Sequence, residues 1–310
     1  MGCWEKRIRR AKASSGGRES ASTPIIHQQL SFINPHGFTL IELLVVISII
    51  ALLMAVLLPT LGRVRRQAKA VACTAKMRQF GLAYKMYTDA NGGRWFAEGR
   101  SDPKTPGLVD DERHGLANWL GLAAPLWFNA PGFAACPLAT KYRWAAYDAF
   151  SSWHPPDGPA MTETPSGEPI FGPASYGFNE AVCAPPAEER WRDLPSREFF
   201  WGNTDVRGSA RIPILFDSAV LHAWPDQYSG PPPFEAGPLA GAIVRWPMCI
   251  NRHEGGVNML FMDWSVRKVG LKELWTFKWN RQFSTGGPWT KQGGVEPEDW
   301  PAWMRTFKDY

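Results

Sequence analysis

The chain has 310 residues, of which 45% are hydrophobic and 20% charged, so its composition is that of a folded protein and excludes wholesale disorder. It contains 29 glycines and 27 prolines, which predicts much turn and irregular loop. The formal net charge is +5, and residues 1–37 hold six basic and two acidic residues. Because most of the excess charge lies in that segment, the rest of the chain is not expected to bind nucleic acid.

The first predicted element is an apolar segment, residues 38–58, whose only polar residues are Thr39, Glu42 and Ser48. As an α-helix it would span about 31 Å, which matches the ~30 Å of bilayer hydrocarbon. The segment is longer than the apolar region of a secretory signal peptide, and no small-residue cleavage site follows it. It therefore predicts a single transmembrane helix that remains in the mature protein. A buried core helix is the alternative.

The helical pattern continues beyond the apolar segment. Apolar residues recur at helical spacing between Val64 and Tyr87, and basic residues lie on the opposite face. The Asp, Asn and two Gly within 89–93 form a stop signal. We therefore expect an amphipathic helix over 59–91, followed by a globular head at 92–310.

A short motif precedes the apolar segment. Gly37 is followed by Phe-Thr-Leu-Ile-Glu at 38–42 and then by the apolar run. This arrangement resembles the processing motif of type IV prepilins and pseudopilins. The resemblance implies that a prepilin peptidase removes a cytoplasmic basic leader, residues 1–37, by cutting between Gly37 and Phe38, and that the new amine of Phe38 is methylated. It also implies an inner-membrane protein whose head is extracytoplasmic, although basic residues after the segment favour the opposite orientation.

Glu42 is the acidic residue within the predicted membrane segment. A charged side chain there costs about 2.5–3.5 kcal/mol at mid-span and less near an end, so it needs a partner. Cleavage would create a positive amine at Phe38, one helical turn before Glu42. We therefore predict that Glu42 acts in assembly by neutralising this amine in its own chain or in a neighbouring subunit. An interfacial glutamate at the membrane edge is the alternative.

A second motif lies near the C-terminus. Nine residues separate His253 from Asp263, and alternating residues over 253–269 predict a β-hairpin that turns at Asp263. The segment resembles the H-x9-DG segment of planctomycete-type pseudopilin-like proteins, with Trp264 in place of the glycine. Because tryptophan disfavours positive φ, we expect a type I turn. We also expect a structural hydrogen bond between His253 and Asp263, and a catalytic or metal pair is the alternative.

The mature chain would keep four cysteines, Cys73, Cys136, Cys183 and Cys249. In an exported protein this even number permits two disulfides, and buried thiols are the alternative. A bridge from Cys73 to Cys136 would join the helix to the head. The sequence does not establish any pairing.

No enzymatic or metal-binding motif is evident in the sequence. A phosphate-binding loop, a nucleophile elbow and a CxxC pair are missing, so we expect no catalytic residues, no metal site and no cofactor. A calcium ion is suggested only by the resemblance to secretion pseudopilins. The C-terminal 65 residues hold seven tryptophans, which either bind a carbohydrate or partner or fill the core of a loop-rich head.

These features together predict an α+β fold that is pilin-like, with a long N-terminal transmembrane and amphipathic helix packed on a loop-rich antiparallel β head. The resemblance implies a structural, non-enzymatic subunit that assembles through this helix into a type IV pilus or a type II secretion pseudopilus. Its partners would be prepilin peptidase, other pilin or pseudopilin subunits and the membrane. Two alternatives remain open: an exported enzyme or carbohydrate-binding domain with a prepilin-like anchor, and a plain single-pass membrane protein.

Overall fold

A computed structural model describes ten parts of the chain: residues 39–96, 133–142, 151–152, 162–163, 169–170, 174–184, 190–191, 194–220, 222–235 and 245–310. The predicted cleavage site, Gly37 and Phe38, and the predicted leader lie outside the described residues. The chain divides into two compact units, with the boundary between Val56 and Leu57.

The dominant element is helix α1, which runs from Leu40 to Ala90 and comprises 51 residues. In the first unit its side chains are exposed on every face, and none of residues 39–56 is buried. By length and composition α1 can cross a membrane. The prediction of a long apolar N-terminal helix is confirmed.

In the second unit, α1 buries a single stripe at helical spacing. Its buried residues are Cys73, Met77, Phe80, Gly81, Tyr84 and Thr88. Gly81 allows a close approach, because a Cβ there would lie 2.9 Å from Cδ1 of Leu260 in the sheet. The helix ends where Gly92 and Gly93 take positive φ values of 65° and 81°, which glycine adopts without a steric penalty.

The described strands are, in chain order, β1 (Lys141–Tyr142), β2 (Ser151–Ser152), β3 (Thr162–Glu163), β4 (Pro169–Ile170), β5 (Tyr176–Asn179), β6 (Arg190–Trp191), β7 (Leu194–Pro195), β8 (Pro213–Asp217), β9 (His222–Ala223), β10 (Gly256–Phe261) and β11 (Val266–Gly270). A short helix, α2 (Ser196–Phe199), follows β7. Short 3-10 helices occupy Glu180–Val182, Ser209–Arg211, Leu271–Thr276, Lys291–Gly293 and Pro297–Asp299.

The main sheet has five strands in the order β11-β10-β8-β5-β9. The first four are antiparallel to their neighbours, whereas the two-residue β9 runs parallel to β5. Three two-stranded pairs, β1–β2, β3–β4 and β6–β7, complete the described strands. One long helix with a mainly antiparallel sheet confirms the predicted α+β, pilin-like fold.

The side chains of strand β10 are divided between two apolar clusters. Leu260 belongs to the cluster that also contains the buried stripe of α1, whereas Met259 and Phe261 belong to a second cluster built from C-terminal residues. Four tryptophans of this second cluster are almost fully buried: Trp246, Trp275, Trp279 and Trp300. These four indoles fill the core, so they are not available for binding at a surface.

The predicted hairpin is formed by β10 and β11, which pair from Gly256 with Gly270 to Leu260 with Val266. At its turn the carboxylate of Asp263 accepts hydrogen bonds from the backbone N–H of Ser265 (3.0 Å) and from its hydroxyl (2.6 Å). Asp263 therefore caps the turn, as its residue type suggests.

The prediction that Trp264 lies in a type I turn with a negative φ is wrong. Its φ is +69°, which is the left-handed region that a glycine would adopt without cost. The half-buried indole packs against the cluster that contains α1, with its ring centroid 6.1 Å from that of Trp95. This packing offsets part of the backbone strain, because an aromatic pair contributes about 0.5–1.5 kcal/mol beyond its buried area, whereas a left-handed φ costs about 1–3 kcal/mol.

Candidate functional site

The N-terminal end of α1 is closed by a reciprocal pair, Thr39 and Glu42. The N–H and the hydroxyl of Thr39 donate to Oε2 of Glu42 at 2.9 and 2.8 Å, and the N–H of Glu42 donates to Oγ1 of Thr39 at 3.2 Å. This is a capping box, which satisfies donors at the start of the helix and places a negative charge at its positive end. The predicted partner of Glu42, the amine of Phe38, lies outside the described residues.

The apolar part of α1 presents few polar atoms to its surroundings. Besides Glu42, the polar side chain between residues 40 and 56 is Ser48, and its hydroxyl donates to the carbonyl of Val45 at 2.7 Å. Since the Glu42 carboxylate accepts from Thr39 and the Ser48 hydroxyl donates within the helix, both groups are satisfied locally and the outer surface is almost wholly aliphatic. Such a surface suits lipid or other apolar helices.

A second arrangement of functional groups is buried in the larger unit. It consists of Cys73, Cys136, Asp217 and His253, whose Sγ, carboxylate and imidazole atoms all lie within 4.8 Å of one another. The four residues are between 0% and 4% exposed. We call this group the buried Cys–Asp–His cluster.

Three separate contacts define the geometry of the cluster. Nε2 of His253 lies 2.9 Å from Oδ2 of Asp217 and 3.5 Å from Sγ of Cys136. Sγ of Cys73 lies 3.7 Å from each carboxylate oxygen of Asp217. The donor atoms therefore face a common centre.

Two of the four residues are placed by the helix and by a loop. Cys73 lies in the buried stripe of α1, and its sulfur accepts a hydrogen bond from the hydroxyl of Tyr176 at 3.4 Å. Cys136 lies in the loop 133–140, where its N–H donates to Oγ of Ser175 at 2.8 Å. Ser175 and Tyr176 lie at the start of β5, so both cysteines are held from the same strand end.

The other two residues are placed by the sheet. Asp217 is the last residue of β8, and its Oδ2 accepts the N–H of Asn258 in β10 at 2.9 Å. His253 precedes β10, in a turn closed by its N–H donating to the carbonyl of Gly256 at 2.9 Å. The side-chain amide of Asn258 also lies 3.1 Å from Nε2 of His253.

A buried arginine neutralises part of this site. The guanidinium of Arg252 donates to Oδ1 of Asp217 at 3.1 Å, to the carbonyl of Ser175 at 2.8 Å and to the carbonyl of Ser218 at 3.2 Å. The side chains of both Arg252 and Asp217 are 0% exposed. The arginine therefore fixes one carboxylate oxygen and leaves the other facing His253.

The charges within the cluster shift the pKa of each member. Burial would raise the pKa of Asp217, but His253 and Arg252 outweigh burial and bring this pKa to about 2. Burial would lower the pKa of His253, but Asp217 raises it to about 9. Burial would also raise the pKa of Cys136, but hydrogen bonds from Cys73 and His253 and the charge of Arg252 lower it to about 6. Burial raises the pKa of the Cys73 thiol well above its usual range, so the two sulfurs of the cluster differ in acidity.

This geometry does not match a nucleophilic triad. In a triad the carboxylate binds one ring nitrogen of the histidine and the nucleophile meets the other. Here Asp217 and Cys136 both meet Nε2, while Nδ1 of His253 is buried and has no hydrogen-bond partner among the described residues. Convergence on one point is the arrangement that metal ligands adopt.

The sequence-predicted residues of the second motif do not meet. His253 lies in the buried cluster, whereas Asp263 is exposed at the hairpin turn and bonds Ser265. The expected hydrogen bond between His253 and Asp263 is therefore replaced by one to Asp217. Sequence reasoning missed Asp217, although a buried strand that ends in an aspartate, residues 213–217, is a signal for a buried polar site.

The cysteines also differ from the expected disulfides. Within the described part of the chain, Cys73, Cys136, Cys183 and Cys249 are all buried and none forms a disulfide. Cys73 and Cys136 belong to the buried cluster, whereas Sγ of Cys249 lies 3.9 Å from Sδ of Met304 in the other apolar cluster. These residues are therefore buried thiols, which is the alternative that the sequence left open.

Comparison with known proteins bears on the N-terminal segment. Residues 34–58 match the family model of the prokaryotic N-terminal methylation motif. The type IV wide pilus major component PilA4 of Thermus thermophilus is 48% identical over 54 residues, which are 17% of this chain. The match spans 41% of that relative's length. No solved structure matches the chain.

The matched motif and the pilin relative show that the N-terminal segment of the protein is prepilin-like. The matched residues, 34–58, include the exposed apolar part of α1, and this arrangement fits a membrane-anchored pilin. The layout of one long helix and an antiparallel sheet is likewise pilin-like.

Proposed function

We propose that the protein is a structural pilin or pseudopilin subunit that assembles through α1 into a type IV pilus or a type II secretion pseudopilus. A prepilin peptidase cuts between Gly37 and Phe38, and the amine of Phe38 is methylated. The processed chain stays in the inner membrane, with its head on the extracytoplasmic side, until it assembles. The proposal assigns it no enzymatic activity.

One observation carries this proposal: the residues that match the methylation motif, 34–58, include an apolar helix with no buried side chain over 39–56. Full burial of one Leu, Ile, Val or Met side chain is worth about 1.5–3 kcal/mol. A surface of this kind is stable in lipid, or outside lipid when it packs against similar helices. In a fibre of subunits, the apolar helices would pack against one another, which supports assembly through this helix.

Glu42 fits this role because it is the ionisable group in that apolar surface. In the single chain its carboxylate is bound by the N–H and hydroxyl of Thr39. These are neutral donors, so the negative charge remains without a cation among residues 39–56. In a packed bundle, a methylated amine at Phe38 of a neighbouring subunit would supply that cation.

The alternative of an exported carbohydrate-binding domain receives less support from the head. Four of the seven C-terminal tryptophans lie inside the core, where their NH groups or rings contact protein. Trp279, for example, donates its indole N–H to the carbonyl of Leu274 at 2.8 Å. A sugar-binding platform needs exposed rings, and these four do not provide one.

The assembly part is tested with Glu42→Val, compared with Ser48→Val as a control that removes another polar group from the same helix. Each variant is expressed with the wild-type subunit, and fibres are sheared from cells or extracted from membranes. We expect both variants to insert into the membrane and only Ser48→Val to enter fibres. Co-assembly of Glu42→Val at the wild-type level would contradict the proposed role of Glu42.

A further inference from the structure

We propose that Cys73, Cys136, Asp217 and His253 form a structural site for a divalent transition metal of the zinc type. This site is separate from the N-terminal motif and is not needed for the proposed processing. It would pin four parts of the larger unit together: α1, the loop 133–140, the end of β8 and the segment before β10.

The distances between the donor atoms fit tetrahedral coordination. With bonds of about 2.3 Å to sulfur and about 2.0–2.2 Å to nitrogen and oxygen, a tetrahedron places sulfur about 3.5 Å from nitrogen and about 3.6 Å from oxygen. The sulfur of Cys136 lies 3.5 Å from Nε2 of His253, and the sulfur of Cys73 lies 3.7 Å from the oxygens of Asp217. These two sulfur-containing pairs of donor atoms therefore already stand at the required spacing.

The contact between Asp217 and His253 is closer than coordination requires. Their atoms are 2.9 Å apart, against about 3.4 Å for oxygen and nitrogen on a common tetrahedral ion. A metal would replace this hydrogen bond, and the carboxylate would have to move back by roughly half an ångström. Nε2 would then serve as the ligand atom of a neutral imidazole.

The donor set selects the class of metal. Two cysteine sulfurs and one imidazole are the ligands of zinc and related ions, whereas calcium takes six to eight oxygen ligands. The cluster supplies oxygen only through Asp217. A calcium ion, which the family resemblance suggested, does not fit here.

The charges balance when a divalent metal is included. Two thiolates and one carboxylate carry three negative charges, and a divalent ion together with Arg252 carries three positive charges. This matters because the side chains of Arg252 and Asp217 are 0% exposed, where an unbalanced charge is costly. Arg252 binds Oδ1 of Asp217, so it would orient the carboxylate as outer ligands of metal sites do.

A groove borders the site on one side. His253 and Arg252 also line a groove of about 720 Å³, together with Arg66 and Glu254, which form an ion pair at 3.3 Å. The groove therefore reaches the edge of the cluster at His253, whose side chain is 1% exposed. The rival use of the same sulfurs is a disulfide between Cys73 and Cys136, but that bond would not explain why Asp217 and His253 face the same centre.

The test uses the full chain in detergent, reduced, freed of metal and then titrated with Co²⁺. Tetrahedral Co²⁺ with thiolate ligands gives strong visible bands and a sulfur-to-metal band in the near ultraviolet. We expect both bands at one ion per chain, and we expect Zn²⁺ to remove them. The wild-type spectrum needs no variant, so a folded, reduced chain without these bands overturns the proposal.

Two pairs of variants locate the ion. Cys136→Ser and His253→Ala should lose the bands, whereas Cys249→Ser, another buried cysteine, and Asp263→Ala, the other motif residue, should keep them. Bands that persist in Cys136→Ser overturn the assignment. A Cys73–Cys136 disulfide in protein alkylated at lysis and analysed by mass spectrometry overturns it as well.

Discussion

Because Trp264 has a positive φ, we predict that the variant Trp264→Gly is more stable than Trp264→Ala. With φ at +69°, any side chain at this position meets a Cβ penalty of about 1–2 kcal/mol, which glycine avoids. Glycine also loses more entropy on folding than alanine, by about 0.4–1 kcal/mol. The difference leaves Trp264→Gly more stable than Trp264→Ala by roughly 0.5–1 kcal/mol. Both variants should be less stable than wild type, because both lose the packing on Trp95.

The assay is urea unfolding of the full chain in detergent, followed by the fluorescence of the remaining tryptophans. The control pair is Lys268→Gly and Lys268→Ala, at an exposed position of β11 with no positive φ. There we expect the usual order, with alanine more stable by about 0.5–1 kcal/mol. If glycine is the less stable substitution at both positions, the left-handed turn and the argument from it are wrong.

Two further predictions concern processing and the head. Gly37→Val should leave uncut precursor in the membrane, whereas the control Gly17→Val, which changes a glycine within the predicted leader, should be processed normally. An immunoblot that separates precursor from mature protein checks both variants. Normal processing of Gly37→Val would count against the cleavage site. Trp275→Ala should lower the free energy of unfolding by about 3–5 kcal/mol, because it empties a core position, while Phe234→Ala, at a residue 66% exposed, should stay within about 0.5 kcal/mol. Equal effects in urea unfolding would contradict the two-cluster description of the head.

The helix and the hairpin could be predicted because their signals are local. An apolar run and a helical spacing define α1, and a period of two around Asp263 defines β10 and β11. The exception is Trp264, where the local preference for negative φ was overridden by packing of the indole on another part of the chain. Local rules give the element and its turn, but tertiary contacts decide the conformation of a strained residue.

The buried cluster could not be predicted in the same way, because its members are far apart in sequence. Asp217 meets His253 only through the register of the sheet, in which Met259 pairs with Phe216 and Tyr176 with Asp217. No spacing rule joins a helix cysteine to a strand aspartate. The motif spacing therefore drew attention to Asp263, which is separated from His253 by nine residues along the chain but is exposed at the turn.

The central claim is that the chain is a processed pilin-like subunit, and the N-terminal peptide of the membrane-bound protein tests it most directly. The protein is isolated from cells with an active prepilin peptidase, digested, and its N-terminal peptide is measured by mass spectrometry. The account predicts a peptide that begins at Phe38 and carries one added methyl group on its amine. Protein that retains residues 1–37, or that begins at another position, would contradict the account.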